Sequence, residues 1–279
     1  MTATVQAKSI NARTCERVPR VAWVQSQSLS FTARHDSRDA EDAADVLQRL
    51  EEHRSLMAEI FPRTPGDVTV IIYPRPLELA LAHPWLPFAQ LLSAPAGRRY
   101  FAGWFASGEM YVLSPRALEA RASAVPGSRD ALLRAPLHEY AHLVIGANNP
   151  DLPPPFGRKS LARYLRWAWL AEGAASYFSG QVRHLRPAIA RRLREGSPPS
   201  FPPSLRDAPL LGGTVFSLLH GGAGREACAA LASRLDLDGP GRAIERAFLR
   251  PAEEVEHDWR AYLADMAATT ARPTISRHE

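Results

Sequence analysis

Cysteine is nearly absent from this chain. Cys15 and Cys228 are the only two in 279 residues, too few for a disulfide framework and neither at a metal-ligand spacing, so both are expected to be structural or incidental. Lysine is as scarce, since Lys8 and Lys159 are the only lysines among 34 basic residues. The arginines that make up the rest are scattered, so a net charge of +5 gathers into no patch of the kind nucleic acid selects. A GC-rich genome explains that arginine bias. No run of 18 apolar residues is present, which argues against a transmembrane helix and leaves no membrane partner evident. The first twenty residues, with Lys8, Arg13, Glu16, Arg17 and Arg20, lack the apolar core of a signal peptide. The expected compartment is the cytoplasm, with secretion the alternative if the chain starts upstream of Met1. Apolar residues are plentiful: at 46% of a 30.7 kDa chain they allow a sizeable core, near the upper end for one domain.

The order of elements reads as α+β. Residues 1–20 show no period and are expected to form a flexible arm. Val21 to Thr32 alternates loosely, as a strand does, and Asp39 to Phe61 carries an apolar stripe at helical spacing, with Ser37 and Asp39 as caps. Val68 to Tyr73 is mostly β-branched and closed by Pro74, so it is the best strand in the chain. Pro76 to His83 reads as a short helix, and Tyr100 to Leu113 as two short strands joined near Ala106-Ser107-Gly108. Later come a Pro-rich connector at 150–157, a second Pro-rich boundary at 198–203, and helices over Gly213 to His220, Gly224 to Leu235 and Glu253 to Met266. No internal repeat is evident.

One stretch carries chemistry. His138-Glu139-Tyr140-Ala141-His142 is an H-E-x-x-H within a mostly apolar run from Leu132 to Ile145. Asp130 is placed to cap this helix and Gly146 to end it, while Pro136 requires that the helix start close by or bend. Two histidines four apart share one helix face, which suits two ligands of a tetrahedral zinc, and Glu139 lies one residue round, placed to reach a water beside the metal. Burying three polar side chains without a partner costs several kcal/mol, which a metal offsets. The third ligand is not the metzincin histidine, because the required glycine and histidine positions hold Ile145 and Asn148. Glu172, thirty residues after His142, is the only acid between Asp151 and Glu195 and lies in the apolar segment Trp167 to Phe178. A lone carboxylate among Trp, Leu and Ala is poorly explained as a solvated face.

H-E-x-x-H followed by W-L-x-E-G-x-A (Trp169 to Ala175) resembles the gluzincin metallopeptidases, in particular the small bacterial families called peptidase MA-like. In pattern and order the resemblance runs from about Val24 to Ala267, although only the two metal motifs are specific. It implies a zincin-like fold with a thermolysin-like catalytic core: a small mixed sheet, an active-site helix and a C-terminal helical lobe. The expected divisions are an arm at 1–20, a catalytic lobe at 21–180, a helical lobe at 181–270 and a flexible tail at 271–279. It implies Zn2+ held by His138, His142 and Glu172, and an acid/base role for Glu139, which takes a proton from a zinc-activated water and passes it to the leaving amine. Substrate, a peptide or protein, would pair with an edge strand near Gly103 to Val112. Gluzincins usually add a His or Tyr as oxyanion stabiliser, for which His220 and Tyr177 are the available candidates. One departure stands out. The acid that commonly follows the third ligand by three or four positions, orienting a zinc histidine, is replaced by Ala175 and Ser176. Such partners are typically worth 10–100-fold in affinity or activity. A non-catalytic or weakly active binding protein of the same fold, or a zinc hydrolase of a non-peptide amide, are the alternatives.

Overall fold

The computed structural model describes residues 22–271, residue 85 excepted. The N-terminal arm expected at 1–20, and all but the first residue of the tail expected at 271–279, lie outside those described residues. The architecture is mixed α+β: a five-stranded sheet with helices packed against it and a helical C-terminal half.

The sheet contains β1 (Trp23–Gln27), β2 (Phe31–Asp36), β3 (Val68–Tyr73), β4 (Gly103–Ala106) and β5 (Glu109–Leu113), in the order β1-β2-β3-β5-β4. β1 and β2 form a hairpin, so the single strand expected over Val21 to Thr32 is two strands turning through residues 28–30. Loose alternation does not reveal a reversal when the turn is made of serine and leucine. β3 lies parallel to both β2 and β5, whereas β4 pairs antiparallel with β5 and forms the far edge. The edge expected from Gly103 to Val112 is therefore β4 alone; β5 is an inner strand. β3 alternates strictly, with Val68, Val70 and Ile72 fully buried, each worth about 2 kcal/mol in apolar burial.

Helices α1 (Ala40–Ala58), α2 (Pro76–Ala82), α3 (Leu86–Leu92), α4 (Pro115–Arg121) and α5 (Ser128–Leu133) precede the central pair, α6 (Ala135–Asn148) and α8 (Ala168–Phe178), which are bridged by α7 (Arg158–Arg166). Beyond them come α9 (Val182–Arg194), α10 (Ala208–Ala232), α11 (Pro240–Phe248) and α12 (Ala252–Ala271). Asp39 occupies the N-cap position of α1, as expected, but makes no side-chain cap bond; Ser37 lies in a 3₁₀ turn before it, which Asp36 caps by accepting from the Arg38 amide. Two expected helices, Gly213 to His220 and Gly224 to Leu235, run on as α10 across a break at Gly224, where φ is +85°. No α9 or α11 was expected.

One buried cluster runs from Phe31 of β2 to Met266 of α12, and a smaller one gathers Leu113, Leu118 and Leu132. The tightest point of the larger is the crossing of α8 and α10. A Cβ on Gly173 would fall 2.5 Å from the backbone carbon of Gly212, and one on Gly212 would fall 2.5 Å from the Trp169 carbonyl oxygen. Only glycine at both positions permits that approach. Buried Arg192 of α9 and Asp207 before α10 form a bidentate pair at 2.6 and 2.8 Å. Among the described residues, no helix is long and apolar enough to cross a membrane.

Candidate metal centre

Helix α6 begins after Arg134, at the end of α5, with Pro136 in its first turn. At that position the missing amide is one the helix would leave unbonded, so no bend is needed, and the His138 amide makes its bond to the Arg134 carbonyl at 3.0 Å. Asp130 belongs to α5 and does not cap α6. Nor does Gly146 end α6, which continues to Asn148. Gly146 instead admits the Pro-rich connector, since a Cβ there would meet Pro154 Cδ at 2.4 Å and the Pro153 carbonyl oxygen at 2.5 Å.

His138, His142 and Glu172 come together between α6 and α8. The two imidazole Nε2 atoms are 3.1 Å apart. His138 Nε2 is 3.4 Å from Glu172 Oε2, and His142 Nε2 is 3.4 Å from Glu172 Oε1. A tetrahedral ion with bonds of about 2.05 Å separates its ligand atoms by about 3.3 Å. The two imidazole nitrogens stand at about that spacing, as does each nitrogen from one of the two carboxylate oxygens, and one ligand atom from each residue brings all three within 4.8 Å of one another. Two imidazoles and a carboxylate are donors that suit a divalent transition-metal ion. The cavity they border is about 20 Å³, room for about one water-sized body.

Burial and charge set the titration of these groups. Burial works to raise the Glu172 carboxyl, but His142 and His138 overcome it and hold Glu172 below the usual carboxylate range. Burial pulls His142 down despite Glu172. At His138 burial also acts downward, yet Glu172, Glu139 and the Gln181 amide prevail and its pKa is raised. Glu139, 6% exposed, is pushed up to about 8, chiefly by burial, with His138 opposing and Glu172 assisting.

Glu139 projects from α6 against the edge strand. A Cβ on Gly103 would sit 2.6 Å from Glu139 Oε1, so only a glycine in β4 leaves space for this carboxylate. Phe105, two residues on, stacks on the His142 ring at 4.3 Å and 12° and fixes its plane. Tyr164 of α7 is buried and donates its hydroxyl to Glu172 Oε1. Phe105 and Tyr164 carried no signal in the sequence beyond being aromatic residues in short amphipathic elements.

The missing orienting acid has a structural counterpart. His138 Nδ1 and Ser176 Oγ are both buried with no hydrogen-bond partner among the described residues. Gln181 borders the same cavity and is held by its amide, which donates to the Ala131 carbonyl at 2.9 Å. It lies close enough to His138 to raise its pKa without meeting Nδ1 at hydrogen-bond geometry.

The two expected oxyanion stabilisers are not brought to this centre. Tyr177 Oη and His220 Nδ1 bond each other at 2.7 Å, and neither borders the cavity of the triad. Five residues beyond Glu172, Tyr177 is rotated about 140° round α8. Compared with protein-family models, curated proteins and solved structures, the chain matches none.

Proposed function

We propose that the chain is a zinc-dependent metallopeptidase of gluzincin type, on a zincin-like fold, that hydrolyses peptide bonds with Glu139 as general base. The observation that carries this proposal is the convergence of His138, His142 and Glu172: the two Nε2 atoms stand 3.1 Å apart, and each lies 3.4 Å from one oxygen of the Glu172 carboxylate. When bound, the metal supplies Lewis acidity and lowers the pKa of a water in the cavity.

The chain's own residues do the rest. His142 is held in plane by Phe105, and Tyr164 restrains Glu172 through Oε1, leaving Oε2 towards His138. Both constraints prepay the ordering that ligand binding demands. Glu139 accepts the proton of the attacking water and delivers it to the leaving amine. A general base works best with a pKa near the operating pH, and burial has already moved Glu139 up to about 8; a cation in the adjoining cavity draws that value down again. Edge strand β4 has no strand on its outer side among the described residues, so an extended peptide can add there through backbone hydrogen bonds. Gly103 in that strand adjoins Glu139, which would bring the scissile bond beside the base.

The test is turnover of a peptide mixture, followed by mass spectrometry, for the zinc-loaded chain and for Glu139→Gln. Cleavage by the first, and its loss in the second at unchanged zinc content, is expected. No cleavage by the zinc-loaded wild type, or equal cleavage by both, would overturn the assignment.

A further inference from the structure

A second cleft, of about 720 Å³, shares no bordering residue with the metal cavity. Its size lies in the range that small-molecule ligands occupy. Its walls come from α1, α5, the start of α6, the end of α8, the start of α9 and Ser217 of α10.

Arg49, Arg134 and Arg183 all border it. Burial first, then the charge of Arg183 and also of Arg49, holds the Arg134 guanidinium below its ordinary value, with only Asp130 nearby opposing. Arg49 has a carboxylate partner, Asp45 at 3.0 Å, and Arg129 at the rim is paired with Glu119. Arg134 and Arg183 have none among the described residues. Nη1 of Arg134 donates to the Ser179 carbonyl at 2.9 Å, and Nε of Arg183 to His184 Nε2 at 3.0 Å, leaving their remaining donors for a ligand. Of the two acids that border the cleft, Glu52 accepts from Gln48 at 3.1 Å and Asp130 lies 3.7 Å from His184 Nδ1; neither forms an ion pair with Arg134 or Arg183 among the described residues. A second observation points the same way. His53, 5% exposed, borders the cleft with Nε2 buried and without a hydrogen-bond partner among the described residues. A polar atom left in that state costs about 1–3 kcal/mol.

We propose that this cleft binds a phosphate-class dianion, a phosphate monoester or pyrophosphate group, held by Arg134 and Arg183 with His53 at its wall. A single carboxylate would neutralise only one of the two guanidiniums, whereas a phosphate offers several oxygens to both forks. The site stands independently of the metal assignment.

Titration calorimetry of the full chain with sodium pyrophosphate, in metal-free buffer at fixed ionic strength, tests it. One saturable site is expected in wild type, with Kd raised at least tenfold in Arg134→Gln and in Arg183→Gln and unchanged in His142→Ala. Citrate at the same concentration is expected to bind more weakly. Arg183 is exposed, so its variant keeps the test decisive if Arg134→Gln does not fold. No saturable heat, pyrophosphate binding equal to wild type in Arg183→Gln, tighter binding of citrate, or loss of binding in His142→Ala would overturn the proposal.

Discussion

Replacing Gly103 by alanine perturbs the proposed general base without touching a metal ligand. The new Cβ would stand 2.6 Å from Glu139 Oε1, 2.7 Å from Cγ and 2.8 Å from Cδ. Non-bonded carbon contacts settle at about 3.5 Å or more, so the carboxylate must retreat by roughly 0.7–1 Å. Misplacing a reacting group by about 1 Å costs on the order of a hundredfold in rate, which is about 2.7 kcal/mol of activation free energy. The three heavy atoms nearest that Cβ all belong to Glu139, so zinc content is expected to stay at the wild-type value. The assay is kcat/KM on the cleaved peptide beside zinc stoichiometry by elemental mass spectrometry, with circular dichroism confirming the fold. A folded, zinc-loaded Gly103→Ala variant within threefold of wild type would refute the reasoning, because the proposed base would then not need the space that glycine leaves.

Two further outcomes concern stability. Burial holds His53 at about 4 against 6.5 in the unfolded chain, so the unfolded state takes up the proton first. The contribution is complete above about pH 6.5 and is lost as pH falls towards 4, by about 3 kcal/mol. Urea midpoints at pH 7 and 4.5 should differ less in His53→Gln than in wild type; an identical difference would contradict the burial account. Asp207→Ala leaves the Arg192 guanidinium buried without its carboxylate, a loss of about 3–5 kcal/mol, and an unfolding free energy lowered by less than about 1 kcal/mol would show that the pair is not desolvated.

The sequence revealed the features that depend on spacing. His138 and His142 share a face because four residues make nearly a full turn, and Glu172 was conspicuous as a lone acid in an apolar helix. β3 was legible to the residue, since its β-branched alternation is confined between Asp67 and Pro74. What depends on three-dimensional direction was not legible. Tyr177 follows Glu172 by five residues and points away from the cavity, whereas Tyr164 precedes it by eight, in another helix, and reaches its carboxylate. Gly103 and Phe105 meet α6 only because β4 lies at the sheet edge, a consequence of strand order that no local pattern encodes. Helix α9 was hidden by its many arginines and by Pro187 inside it, which weaken an apolar stripe that nevertheless buries Val182, Leu185 and Ile189.

Zinc affinity of the wild-type chain and of Glu172→Ala, measured by competition with a chelator of known affinity, probes the metal centre most directly. One zinc per wild-type chain is expected, with affinity weakened at least about a hundredfold in the variant, beyond what loss of an outer partner does. Equal affinity in the two proteins would remove Glu172 from the metal and contradict the proposed hydrolase.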